Sequence, residues 1–331
     1  MPITNLPLSY ISLFHTGELA EREERLVARL ASCDICPRHC GVNRLQGELG
    51  FCHSGALPIV SSYCNHHGEE PVLSGSCGSG AIFFGNCNLH CVFCQNYQIS
   101  HDQTHQKANE VSPDKLAKIM LSLQTQGCHN INLVSPSHFA PQIIQALLLA
   151  IPQGLNIPLV YNTNAYDSLT TLRELSGVID IYLPDLKYAS DENAEQYSQA
   201  PHYSSIARMA IKEMFSQTGT LQTDDGDIAQ RGVIVRHLIL PYNIAGTEKS
   251  LKWLARELSP DVAVSLMSQY HPTHHATKYP RLARSITKGE YTAAERALAA
   301  AGIENGWVQD MATPENYLPD FTRPGHPFDG T

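Results

Sequence analysis

The sequence predicts an α/β protein built on a parallel sheet and preceded by a cysteine-rich extension, and three observations carry that prediction. From residue 80 onward, short apolar runs alternate with longer helix-period segments, the pattern of repeated βα units. Before them, residues 32–79 are rich in Cys, Gly, His and Ser and show little periodicity, which reads as a metal-braced or loop-rich stretch. After them, the tail from Thr313 carries Pro314, Pro319, Pro324 and Pro327, too many for a helix or a central strand, so an extended strap is expected. The chain therefore divides into an N-terminal helix and extension (1–79), a βα core (80–310) and a proline-rich strap (311–331).

Each element has its own signal. Residues 17–31, "GELAEREERLVARLA", place Leu19, Leu26, Val27 and Leu30 on one side of an amphipathic helix. The strand candidates are "AIFFGN" (81–86), "NINLVS" (130–135), "IPLVYNT" (157–163), "VIDIYLPDL" (178–186), "GVIVRHLIL" (232–240) and "VAVSLMS" (262–268). Between the first two, "SPDKLAKIMLSLQTQG" opens with Ser112 as an N-cap and Pro113 in the first turn, and closes on Gly127. Further helices are expected at 141–150, 168–176, 190–217, 247–258 and 291–301.

Composition excludes several classes. With 331 residues, 43% hydrophobic and 17% charged, the chain has a globular composition, and no apolar run approaches the ~18 residues of a membrane span. A net charge of −9 without a Lys/Arg-rich run argues against nucleic acid. The opening "MPITNLPLSYISLF" lacks the features of a secretory signal, so a cytoplasmic location is expected, where ten cysteines are more readily metal ligands or catalysts than disulfides.

The densest chemistry lies in "GNCNLHCVFCQNYQIS", where Cys87, Cys91 and Cys94 form a C-x3-C-x2-C array directly after the first core strand. A cubane iron–sulfur cluster ordinarily takes four thiolates, so three leave one iron open, as in catalytic metal sites. The alternatives are a zinc loop completed by His90 or His101, or three unmetallated thiols. The spacing, with Phe93 before the last cysteine, resembles the signature of the radical S-adenosylmethionine (SAM) enzymes. That resemblance implies a partial (β/α)6 barrel, a [4Fe–4S] cluster with SAM on its open iron, and reductive cleavage to a 5′-deoxyadenosyl radical that abstracts hydrogen from a substrate. Such chemistry would sit at the C-terminal ends of the strands.

The other strand ends are similar to those of the pyruvate formate-lyase activating enzyme. "YNTNA" resembles Asp-Thr-Asn-Gly and implies cofactor contacts from Asn162 and Asn164. "LPDLKY" resembles Leu-Asp-Leu-Lys and implies the same for Asp185 and Lys187, which face one side of a strand; a purely structural ion pair is the other reading. "VIVRHLILP" aligns Arg236, and "SQYHP" aligns His271, with family positions near SAM. The family's Gly-Gly-Glu stretch is replaced by "VSPSHFAP", where Ser135, Ser137 or backbone carbonyls take its place.

Upstream, Cys33, Cys36, Cys40 and Cys52 follow a C-x2-C-x3-C-x11-C pattern suited to structural zinc or an accessory Fe–S cluster, and a metal-braced structural extension is the expectation. "CNHHGEEP" (64–71), with His66 and His67, reads as a polar surface loop, and Cys64, Cys77 and Cys128 have no partners by spacing. By resemblance, the substrate is a protein or peptide, in the simplest case a glycine of a glycyl-radical enzyme, and the electron donor is flavodoxin- or ferredoxin-like. The competing functions are radical modification of another protein or a small molecule, and a non-catalytic metal or redox scaffold.

Overall fold

The computed structural model describes residues 8–101, 106–311, 318–323 and 325–328. The opening residues 1–7 and the strap's Pro314 and Pro324 lie outside the described residues.

A nine-stranded sheet forms from β1 (Val60–His66), β2 (Ser79–Phe84), β3 (Ile131–Val134), β4 (Leu159–Thr163), β5 (Ile181–Pro184), β6 (Gln222–Thr223), β7 (Ala229–Leu238), β8 (Ala263–Met267) and β9 (Gly306–Val308). Its order is β1-β2-β3-β4-β5-β7-β8-β9, with β6 paired to β7. All six expected strands are present, and from β2 to β9 every neighbour along that order is parallel. The sheet curves into a partial barrel that does not close.

Two strands escape sequence reading, and each has a physical reason. β1 lies inside the stretch expected to be irregular and pairs antiparallel with β2, its sequence "VSSYCNH" lacking an apolar run. β9 is only three residues long and begins at Gly306, whose φ of +122° and close approach to Val264 exclude any side chain.

The helices are α1 (Ser9–Thr16), α2 (Glu18–Ala28), α3 (Pro71–Ser74), α4 (Tyr97–Ser100), α5 (Pro113–Thr125), α6 (Ala140–Ala150), α7 (Leu169–Glu174), α8 (Asp191–Ser198), α9 (Tyr203–Thr218), α10 (Thr247–Glu257) and α11 (Lys288–Ala301). Ser112 caps α5 by accepting from the Lys115 N–H, with Pro113 at its start. The single helix expected over 190–217 is two, α8 and α9. Gln199 and His202 both take left-handed φ values, 51° and 55°, on either side of Pro201, and the chain turns there.

Parallel strands covered on both faces are apolar on both. Ile82, Leu133, Tyr161, Val233 and Val264 join the main core with the helices, while Val160, Ile181, Leu183, Ile234 and Ala263 pack inside the barrel against Leu73 of α3. That inner plug fills the floor, while Ser135, Asn162 and Asp185 gather at the C-terminal ends of their strands. In-register pairs such as Val134↔Asn162 and the Asp185↔Arg236 bridge bring successive strand ends together there.

Candidate active site

The loop after β2 is held from several directions. Asn86, at φ +63°, donates its N–H to the Ile99 carbonyl (2.7 Å), and its amide donates to the His53 carbonyl (3.1 Å). Donors then converge on the sulfurs of the three cysteines that follow. Leu89 N–H and Asn164 Nδ2 reach Cys87 Sγ at 3.4 and 3.5 Å, Ser198 Oγ donates to Cys91 Sγ at 3.0 Å, and Ser100 Oγ lies 3.2 Å from Cys94 Sγ. Burial pushes the Cys87 thiol up to about 12 and the Cys94 thiol up to about 11, and it raises Cys91 as well. A dry pocket therefore disfavours bare thiolates, and a bound cationic centre would have to displace the protons.

Donors aimed at sulfur fit that demand, because thiolate ligands of iron–sulfur clusters are tuned by such bonds. Among the described residues, no three His, Cys, Asp or Glu side chains converge on a point suited to a single metal ion. His90 and His101 do not complete the site: His90 stacks on Phe51, His101 Nδ1 lies 3.0 Å from His274 Nε2, and neither lines the cavity.

The cysteines face a cavity of about 490 Å³ at the strand ends, within the range of small-molecule and cofactor sites. Two ionic groups dominate its wall. Lys187 Nζ meets Asp185 Oδ2 at 2.6 Å; burial alone would lower the lysine pKa, but the carboxylate outweighs it and raises the value. Arg236 donates through Nε and Nη2 to Glu70 at 2.8 and 2.6 Å and also pairs with Glu69. Burial would raise the Glu70 pKa, yet the Arg236 guanidinium holds it below the usual carboxylate value. Glu69 is tied further to Asn132 Nδ2 at 2.9 Å. With Asp310 also on the wall, four carboxylates stand against two cations, and the surplus of negative charge facing the cavity favours a cationic ligand.

Of the residues singled out by sequence, Ser135, Asn162, Asn164, Asp185, Lys187 and Arg236 line this cavity. Asn164 is mainly a brace, donating to Asn88 Oδ1 (2.8 Å) and accepting from Tyr166 N–H (2.9 Å). Ser137 and His271 do not line it. Ser137 turns into a buried network, with its Oγ 3.1 Å from Thr163 Oγ1, which in turn donates to Asp167. At the end of β8, Gln269 rather than His271 lines the cavity.

Sequence reading missed Glu69 and Glu70, because "CNHHGEEP" is not a surface loop. His66 is buried, stacked on Phe328 at 4.4 Å, and the two glutamates enter the cavity wall. Two adjacent acids ahead of an N1 proline were the available signal. Cys33, Cys36, Cys40 and Cys52 line a second, smaller cavity beside Arg38 and Arg44.

A model of the radical SAM superfamily matches residues 81–216. The uncharacterized protein MJ0674 of Methanocaldococcus jannaschii is 32% identical over 282 residues, covering 82% of this chain and 74% of that protein. A second protein of that organism, MJ0808, also uncharacterized, is 22% identical over 182 residues, covering 51% of this chain and 53% of its own length. Two solved structures, native anSMEcpe with bound AdoMet and HydG, a maturase of the [FeFe]-hydrogenase, each give a TM-score of 0.45 at 12% and 13% identity and cover 70% and 67% of this chain. The chain spans 59% and 49% of those two proteins, less than two thirds of either.

The family match begins on the strand that delivers the three cysteines and runs through the strand that delivers Asp185 and Lys187. On that ground, the chain belongs to the radical SAM superfamily, whose members carry a [4Fe–4S] cluster and SAM.

Proposed function

We propose that this chain is an activating-enzyme-like radical SAM enzyme that abstracts hydrogen from a glycine in an extended segment of a partner protein, most simply a glycyl-radical enzyme. When bound, the cluster and SAM supply the reductively generated 5′-deoxyadenosyl radical that takes the hydrogen atom. Cys87, Cys91 and Cys94 would hold the cluster and leave one iron for SAM. Lys187 offers an ammonium to a carboxylate, and Asn162 and Ser135 offer polar contacts beside it. The surplus negative charge of the wall suits a ligand carrying sulfonium and ammonium groups. Arg236, held by two carboxylates, acts as a wall rather than as a free anion binder.

The observation that carries the protein-substrate reading is the chain's own tail. Phe321 and Phe328 pack against Phe83 of β2, and Phe328 lines the cavity. Phe321 N–H donates to Gln98 Oε1 (2.9 Å), and Ser62 Oγ donates to the Gly325 carbonyl (3.2 Å). A segment without helix or strand is thus accepted at the barrel mouth through backbone bonds and aromatic contacts, the means by which an extended partner segment would also be held. A flavodoxin- or ferredoxin-like donor in a reducing cytoplasm completes the reading.

The test uses the anaerobically reconstituted chain with SAM, a strong reductant and a glycyl-radical enzyme deuterated at its glycine α-carbons. Deuterium in 5′-deoxyadenosine, together with a glycyl radical signal in electron paramagnetic resonance (EPR) from the unlabelled partner, is expected. Unlabelled 5′-deoxyadenosine with no protein radical would reject the protein-glycine substrate.

A further inference from the structure

The segment that follows β8 carries a charge pattern that the reaction above does not use. In a chain with 23 Lys and Arg against 32 Asp and Glu, residues 262–289 hold no acid, yet Lys278, Arg281, Arg284 and Lys288 all fall within them, together with His271, His274 and His275. His275, Lys278, Arg281 and Lys288 are exposed. Glu290 neutralises Arg284 at 2.8 Å, whereas Lys278, Arg281 and Lys288 have no ion pair among the described residues. A strip of one sign on a chain of the opposite net charge steers an acidic partner to one place on the surface.

A rigid aromatic tip stands beside these cations. Tyr242, in the loop after β7, is 53% exposed and is held at φ +54°, with Asn243 following at +52°, a conformation that bulky residues rarely take. Its N–H donates to Glu290 Oε1 (2.7 Å), and its ring centre lies 4.3 Å from the guanidinium carbon of Arg284 and 5.8 Å from that of Arg281. Strained backbone persists where its surroundings over-determine it, and such positions cluster at functional sites. An exposed tyrosine fixed beside arginines has the make-up of an interface anchor, offering large contact area with little rotamer freedom left to lose.

The same segment is bonded to the loop that carries the three cysteines. His275 N–H donates to the Val92 carbonyl (2.8 Å), between Cys91 and Cys94, and Val92 N–H donates to the carbonyl of Tyr197 (2.9 Å), whose ring meets Tyr279 edge-on at 5.6 Å. Tyr270 packs edge-on against Phe93 (5.8 Å) and donates its hydroxyl to the Leu282 carbonyl (2.7 Å), while His274 stacks on Tyr97 at 5.0 Å. Residues 270–282 therefore join the cysteine loop directly to the exposed cations. We propose that Lys278, Arg281 and Lys288, with Tyr242, form the docking surface for a small acidic redox protein that delivers the electron to the cluster at Cys87, Cys91 and Cys94. The inference rests on the radical SAM reading of that loop. The donor's reduced flavin loses one electron, the cluster gains it, and no bond forms or breaks. Redox encounters of this kind bury little area and depend on charge for orientation and rate, which suits an open strip. Its bond to the cysteine loop favours a redox partner over a nucleic acid, which would gain nothing from that contact.

The experiment mixes the anaerobically reconstituted chain with a flavodoxin of strongly negative net charge and takes two readouts: the Kd for the oxidised flavodoxin by calorimetry, and the rate of cluster bleaching by the reduced flavodoxin in stopped flow. Wild type is compared with the double variant Lys278→Glu, Arg281→Glu, with Tyr242→Ala, and with a control double variant at exposed positions of α5, Lys115→Glu, Lys118→Glu. Reversing the strip should weaken binding and slow bleaching about tenfold at low salt, and added salt should weaken wild type far more than the reversed variant. Tyr242→Ala should weaken binding at every salt concentration. The control variant, and bleaching of every variant by dithionite, should match wild type. Flavodoxin binding to wild type that is absent or independent of salt, equal Kd values for the strip and control variants, or tighter binding of a single-stranded oligonucleotide would overturn the inference. Equal slowing with dithionite would also overturn it, by placing the damage in the cysteine loop. Failure of the radical SAM reading looks different: flavodoxin would bind the strip and bleach the cluster, yet added SAM would give no 5′-deoxyadenosine.

Discussion

Replacing Arg236 with methionine tests the ionic wall of the cavity. The side chains of Arg236, Glu69 and Glu70 are 14%, 8% and 5% exposed, so the substitution leaves two carboxylates in a dry site with Asn132 and Ser265 as the remaining partners. Breaking a buried ion pair from one side costs about 3–5 kcal/mol, well above the roughly 0.5–1.5 kcal/mol of a lost neutral hydrogen bond. The sign of the pH dependence follows from Glu70. In wild type its folded pKa is depressed below 4.5, so its stabilisation is present above that value and is lost as pH falls through the folded pKa. Without Arg236, burial raises the folded pKa above the unfolded one, so the variant is penalised at neutral pH and recovers as acidification protonates the carboxylate. The gap between the two proteins should be widest near neutrality and should narrow toward pH 4.5. Urea unfolding of the reduced apo-chain, followed by tryptophan fluorescence at several pH values, measures it. Adding Glu69→Gln and Glu70→Gln to Arg236→Met should recover more than half of the loss. A loss under about 1 kcal/mol, or one independent of pH, would refute the buried-charge argument.

Two further changes probe separate links. Ser198→Ala removes the 3.0 Å donor to Cys91 Sγ; with one hydrogen bond fewer on a ligand sulfur, the cluster should become harder to reduce, and a redox titration followed by EPR should show a lower potential. Gly306→Ala puts a Cβ 2.0 Å from the Val264 carbonyl oxygen at φ +122°, costing about 1–3 kcal/mol in backbone strain before the clash is counted. β9 should detach, and the emission of Trp307, which lines the cavity, should shift to the red; an unchanged spectrum would mean that β9 does not depend on this close approach.

The parts of this molecule that could be read from sequence were those with a local signature. Six buried strands announce themselves as apolar runs, and the three cysteines as a spacing. Asp185 and Lys187 share a strand face by their two-residue interval. What escaped depends on contacts between distant residues. Glu70 meets Arg236 across 166 positions, and no spacing rule joins them. Ser137 sits two residues from Ser135 yet leaves the cavity wall, because Ser135 takes a left-handed φ of 59° and the chain turns into a short 3₁₀ segment. His271 follows β8 in the order expected, but Gln269 is the residue at the cavity. The break between α8 and α9 rests on two left-handed residues, Gln199 and His202, that carry no glycine to advertise them.

The most direct measurement is anaerobic quantification of 5′-deoxyadenosine from reconstituted wild type and Cys91→Ala, each given SAM and a strong reductant. The account predicts product from wild type and none above background from the variant. No product from a wild-type chain with its cluster intact would contradict it and would leave a metal or redox scaffold in its place.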